Sequence, residues 1–397
     1  MRLLFASVVA LLTGVIRAQH VGRVGPTVPA SSKVYECNVL NFGAKADNIT
    51  DVGPAIKSAF NNCIVKNPNS RLIIPQGNYL LSSTVLLNGG SNWAFQLDGL
   101  ITLDYSAYLS GSVSGNALVF QRMNEFELYS SNGKGAMYGY LYRSRPNQSG
   151  RSGWPRLLHV YLSSNFSVHD IKLVDAPSFH LVVGEATNAE VYRITIRGGN
   201  QGGLDGVDIS GTNYHVHHVE VTNRDECVTN AFMLKTYPGG ASPGYVKNVL
   251  LRNFTNIDVT YNAYITQYWQ NSYAAGAPNV QLSNITFSNW RGSVNNGANR
   301  GAVVMIGSET NPPVNINVNS FSFWTVEGNK MIDRCSSTYG SGSCIKSLSA
   351  NVTPAKYATV SITATSAPTG WVKPSAPWGI PPYDLHKPIP IPTSTFY

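Results

Sequence analysis

The chain has 397 residues, 36 of them glycine, with 13% charged and a formal net charge of +8. Low charge with abundant Gly, Ser, Thr, Asn and Tyr excludes a charged helical bundle and suits a stacked β architecture. The basic residues are scattered and form no run, which disfavours a nucleic-acid partner, whereas a mildly basic protein is drawn to acidic polymers.

Residues 1–18 read as a secretory signal: Arg2, the apolar run Leu3 to Ile16, then Ala18 before Gln19. That run is too short to span a bilayer, and no later stretch is long enough, so an extracellular protein without a membrane anchor is expected. Cleavage removes Arg2 and Arg17 and leaves 379 residues (397 minus 18) with a charge of +6. Five cysteines enter an oxidising compartment. Cys37 and Cys63 would tie down the N-terminal end, Cys335 and Cys344 would close a Gly/Ser-rich loop, and Cys227 is left over. Six sequons mark candidate glycans at Asn48, Asn147, Asn165, Asn253, Asn284 and Asn351.

Residues 54–64 carry a helical pattern placed to cap the end of a stack. Beyond them one pattern recurs, an Asn followed by apolar residues three, six and eight positions on. It reads Asn165–Val168–Ile171–Leu173, Asn188–Val191–Ile194–Ile196 and Asn213–Val216–Val219–Val221. Later copies are read at Asn279–Leu282–Ile285–Phe287 and Asn315–Val318–Phe321–Phe323, with Pro243–Val246–Val249–Leu251 lacking the Asn. The first intervals, 23 and 25 residues, are a solenoid period. Asn suits the corners, where it tolerates a left-handed backbone or bonds along a ladder of its neighbours. A β-sandwich also shows short strands and turns, but the fixed internal order favours a single-domain parallel β-helix over 19–366. The Pro-rich segment 367–397 should run extended along its surface.

Three acidic residues carry the chemistry. Asp205 lies in Gly-Gly-Leu-Asp-Gly-Val-Asp, and Asp225-Glu226 lie 20 residues on, close to one coil. Coils stack about 4.8 Å apart, so the three groups should meet on one side. Inverting glycoside hydrolysis needs a protonated carboxyl and a carboxylate roughly 6.5–9.5 Å apart with water between them. Spacing alone also permits a turn at Asp205-Gly206 and a solvated loop at Asp225-Glu226, and Asp208 reads as a strand residue. His180, 25 residues before Asp205, reads either as a contact to sugar hydroxyls or as a hydrogen-bonded structural histidine. Tyr264, Tyr268 and Trp269 read either as a sugar-stacking wall or as packing.

Several segments together resemble the rhamnogalacturonan hydrolase branch of glycoside hydrolase family 28. They are Val39-Leu-Asn-Phe-Gly-Ala-Lys-Ala-Asp, Gln96-Leu-Asp-Gly, Phe166 to His180, Ile196-Arg-Gly-Gly-Asn, Gly203-Leu-Asp-Gly-Val-Asp, Glu220 to Val228 and the Cys335–Cys344 loop. The resemblance implies an all-β, right-handed parallel β-helix that hydrolyses pectin backbones with inversion. It makes Asp225 the general acid and Asp205 and Glu226 the groups that position and deprotonate water. Through Met233-Leu-Lys it makes Lys235 the point charge for a galacturonate carboxylate. Gly-Leu-Asp and Asp-Glu stand where polygalacturonases carry Asn-Thr-Asp and Asp-Asp, both in keeping with this branch. The implied partner is an acidic plant cell-wall polysaccharide, cut by a monomer with no cofactor, and no Cys/His spacing in the chain reads as a metal site. One departure is large. After Val228 the chain runs almost directly into Ala231-Phe-Met-Leu-Lys, and about two coils of the family pattern are absent, together with the usual partner of Cys227. Such a loss removes one wall of the cleft and predicts weak or no activity, since a misplacement of about 1 Å costs roughly 100-fold. The competing readings are a polygalacturonase or xylogalacturonan hydrolase, and a non-catalytic secreted β-helix.

Overall fold

The structure is a computed structural model describing residues 23–140, 142, 153–199, 204–223, 230–238, 244–269, 280–295, 301–325, 330–349, 355–364, 366–372 and 387–393. It is the expected parallel β-helix, built of stacked strands that pair in parallel. The strand Leu181–Arg197 displays the design, because it wraps three faces in turn. Its start pairs with Arg156–Tyr161, its middle with Ser164–His169 and its end with Lys172–Val174. The corners fall at residues with positive φ: Glu185 at 49°, Asn188 at 55° and Arg193 at 47°.

Asparagine at the middle corner does both things expected of it. Asn165, Asn188 and Asn213 have φ between 51° and 55°. Their side chains form a ladder in which each Nδ2 donates to the Oδ1 one coil below, from Asn213 to Asn188, Asn165 and Asn124. Short polar side chains tolerate this left-handed region, and the ladder gives each amide a partner on both sides.

Inside, Phe126, Phe166 and Ala189 stack in register, as do Leu128, Val168 and Val191, all essentially unexposed. The helix Gly53–Asn62, with a 3-10 turn at Ile64–Lys66, turns Ile56, Ala59 and Phe60 onto the end of this core. Disulfides Cys37–Cys63 and Cys335–Cys344 form as expected. Near the C-terminus the strand Ala358–Ala364 closes the stack by pairing antiparallel with Lys330–Ser336. Residues 387–393 return to the middle of the first stack, where Ile389 is buried against Tyr138 and Val174.

The second half corrects the register read from sequence. Asn284, not Asn279, sits level with Asn315, and Asn248 supplies the corner missing from the Pro243 copy. Phe287 and Trp290 therefore face Val318 and Phe321. Leu282 and Ile285 flank the corner with the same apolar spacing as the residues beyond it, which is why the pattern slipped.

Besides the small cluster around Ile389, the described residues divide into two large cores. One runs from Cys37 to Ile196 and the other from Ala263 to Tyr357. Among the described residues no strand pair links the 15-stranded sheet, which ends at Val207–Thr222, to the two sheets that follow. Each stack ends on a half-covered coil. Val191 and Ile196 are fully buried, whereas their partners one coil on, Val216 and Val221, are 37% and 45% exposed. Likewise Leu282, Ile285 and Phe287 are fully buried while their partners Val246, Val249 and Leu251 are only partly so.

Candidate active site

The loops that join the third face of one coil to the first face of the next converge on one edge of the first stack. Asp205 lies there, just before the strand Val207–Thr222, and the chain leaves that strand toward Asp225 at the same corner. Two contacts fix this. Gly198 N–H donates to Thr222 O at 2.6 Å, and Asn223 Nδ2 donates to Leu204 O, also at 2.6 Å. The residue preceding Asp205 is thus tied to the residue two before Asp225. Asp225, Glu226 and Cys227 themselves lie outside the described residues, as do the signal segment 1–18, Asn147 and Asn351.

Beneath Asp205 sits His180. Its backbone N–H and its Nδ1 both meet Asp205 O at 3.0 Å, and its Nε2 faces the N–H of Ala176 at 3.4 Å. The ring is fully buried and props the Asp205 backbone, which favours the structural reading of the two. Burial pushes its pKa down from 6.5 to about 4. A second proton would also set two N–H donors against each other at Ala176. Asp208 lies in its strand opposite Val182, as read.

Lys235 ends the strand Asn230–Lys235 in the second stack, exposed, with Nζ 4.3 Å from the ring centre of Trp269. A cation over an indole face gains about 0.5–1 kcal/mol at such a site, so a residue picked for charge and one picked for stacking form one unit. Tyr264 and Tyr268 are half-buried on the adjacent coil. The glycan candidates separate by environment. Asn165 and Asn284 commit Nδ2, the atom a glycan would occupy, to ladder bonds with Asn124 and Asn248, whereas Asn48 and Asn253 are exposed. Asn223 was missed from sequence, although it stands in the segment that carries Asp225.

The family model for glycosyl hydrolases family 28 matches residues 65–231, which takes in most of the first stack and the start of the strand Asn230–Lys235. A probable rhamnogalacturonase B of Neosartorya fischeri is 38% identical over 443 residues, covering 98% of this chain and 82% of that protein. Rhamnogalacturonase A of Aspergillus aculeatus is 37% identical over 450 residues, covering 100% of this chain and 98% of its own length. The chain belongs to glycosyl hydrolases family 28, in its rhamnogalacturonase branch. It is a glycoside hydrolase by that membership. Among solved structures, the endo-xylogalacturonan hydrolase of Aspergillus tubingensis has a TM-score of 0.55 at 19% identity, covering 74% of this chain and 94% of that one. A hyperthermoactive exopolygalacturonase of Thermotoga maritima follows with a TM-score of 0.51 at 15% identity, covering 76% and 90%. These two share the fold of the family. The alignment with rhamnogalacturonase A spans 450 positions against 397 residues here, an excess (450 minus 397) of about two coils of this solenoid's period.

Proposed function

We propose that this protein is a secreted, monomeric hydrolase of pectin that cuts rhamnogalacturonan internally between galacturonate and rhamnose. Asp225 donates the proton to the leaving oxygen, while Asp205 and Glu226 hold and deprotonate the attacking water, so the product anomer is inverted. The observation that carries this reading is the bond from Asn223 to Leu204, which ties the chain two residues before Asp225 to the neighbour of Asp205. Groups on neighbouring coils, about 4.8 Å apart axially, approach the separation inversion requires once their lateral offset is added. Lys235 draws in a galacturonate carboxylate, and Trp269 steadies the lysine and offers a face to the sugar.

Activity in this chain is low, because the coils that would space Lys235 from the carboxylates are absent. The test is reducing-end release from rhamnogalacturonan, homogalacturonan and xylogalacturonan by the purified chain, beside its Asp225→Asn variant. Turnover confined to rhamnogalacturonan and abolished in the variant supports the proposal. Turnover confined to another polymer moves the protein to that substrate. Binding to pectin with no turnover supports the second reading, a non-catalytic β-helix, which the half-covered coils at the two stack ends favour.

A further inference from the structure

A second cluster of chemically active side chains lies on the middle face, away from the Asp205 corner. Glu190 and His215 are register partners on successive coils, and His217 shares a face with His215 two residues along the same strand. His217 Nε2 approaches Glu190 Oε1 at 3.2 Å, and His215 Nδ1 approaches the same oxygen at 3.7 Å. One ligand atom from each residue falls within 4.8 Å of the others, and all three residues are half-buried. The sequence expectation of no metal site rested on local spacing, which this cross-coil set escapes.

We propose that Glu190, His215 and His217 form a binding site for a divalent borderline cation, Zn²⁺ above all, that clamps the last two coils of the first stack. Two imidazoles and a carboxylate are a Zn²⁺ donor set, and carboxylate-only cations such as Ca²⁺ and Mg²⁺ do not favour it. A tetrahedral ion with bonds of about 2.05 Å spaces its ligands about 3.3 Å apart. The two approaches bracket that spacing, so an ion is accommodated with little motion of the three side chains.

The surroundings are those of a supported site. His217 stacks on Tyr192 at 5.1 Å and 2°, and on His215 at 4.2 Å, which fixes the ring plane. Its other nitrogen, Nδ1, lies 2.6 Å from Nδ1 of His218, the kind of outer contact that sets the orientation and tautomer of a ligating imidazole. The N-terminal segment packs over the carboxylate, where Gly25 donates its N–H to Asn188 O and a Cβ at Gly25 would come within 3.1 Å of Glu190 Oε2. The fourth position remains for water. Because Val207–Thr222 is the last strand of its sheet, a bond from it back to Glu190 secures the least covered coil.

The test uses the tag-free full chain, stripped with a chelator and titrated with ZnCl₂ by calorimetry at pH 7.5, since protons compete with the metal for its ligands at lower pH. Glu190→Gln and His217→Phe, the latter keeping an aromatic ring on Tyr192, are titrated alongside. The expected result is one Zn²⁺ per chain, at least tenfold weaker in each variant, with a rise in melting temperature in the parent protein that both variants lose. Absence of binding overturns the proposal, and so does binding of unchanged affinity in both variants. Circular dichroism of the metal-free variants matching the parent protein separates lost ligation from lost folding.

Discussion

Replacing His180 with asparagine isolates the group that props Asp205. Asparagine keeps an amide N–H for Asp205 O and removes the titrating ring. The histidine pKa falls from 6.5 in the unfolded chain to about 4 in the fold. Between those values the unfolded chain binds more protons, so stability rises with pH across that window. The contribution of His180 is complete above pH 6.5 and is lost as pH falls toward 4. At 1.36 kcal/mol per unit the shift amounts to about 3 kcal/mol. Urea unfolding of the parent protein and the variant at pH 7 and pH 4 measures it. The loss between the two pH values should be about 3 kcal/mol smaller in the variant, and carboxylates that titrate in both proteins cancel in the comparison. An equal loss in the two proteins would refute the reasoning, because the buried ring would then contribute nothing to the pH dependence.

Three more outcomes are expected. Asn188→Ala should cost about 3 kcal/mol in urea unfolding, about 1 for each of two ladder bonds and about 1 for a Cβ residue at a left-handed corner. Asn188→Gly should cost about 2, since it loses the bonds without the strain, and an alanine variant as stable as the glycine one would contradict this. Removing Cys37–Cys63, which closes 26 residues, should cost about 3.5 kcal/mol, against about 2.6 for Cys335–Cys344, which closes 9. Paired serine variants compared by urea unfolding read both, and a reversed order would count against the chain-entropy account. Peptide mapping of the secreted protein should find glycans at Asn48 and Asn253 and none at Asn165 or Asn284, whose Nδ2 atoms are held in ladders. A glycan on either ladder residue of the folded protein would show that its ladder does not form.

The first half of the fold was legible because its middle corner is a single asparagine followed by a fixed apolar spacing, so one residue type marked the register of Asn165, Asn188 and Asn213. In the second half Asn315 was read at its corner and Asn284 was not. Leu282 and Ile285 flank Asn284 with the same spacing that follows it, so the frame settled five residues early. The coil period put Asp205 at the corner just before Val207–Thr222, level with the end of that strand. His180 was ambiguous for a physical reason: periodicity tells which corner a residue reaches but not whether its ring turns into the stack or out of it. The Glu190, His215 and His217 cluster follows the same arithmetic, since Glu190 and His215 are 25 residues apart, one coil. A search for ligands at the solenoid period finds what a search for adjacent ligands misses.

The half-covered coils bear most on the function. A buried aliphatic side chain contributes about 1.5–3 kcal/mol, so leaving one half exposed forfeits about 1. Val216 and Val221 approach this state at the end of the first stack, while Val207, Ile209, Tyr214 and Val219 there, and Val246, Val249 and Leu251 at the start of the second, are partly buried. Together they forfeit on the order of a few kcal/mol, a sizeable share of the net stability of an ordinary domain. A solenoid ordinarily ends on a capping element, as this one does at Gly53–Asn62, and neither inner end has one among the described residues. Both ends have the stacking surface of an interior coil, and the excess alignment length of rhamnogalacturonase A is about two coils. Two coils would bury both surfaces. The same coils would set the distance from the Asp205 corner, on the first stack, to Lys235, on the second. On the proposed reading, stability and catalytic spacing depend on the same segment. Inserting a two-coil segment between Val228 and Ala231 should raise both the urea midpoint and the turnover of rhamnogalacturonan. A gain in one without the other would separate the two roles and refute this account.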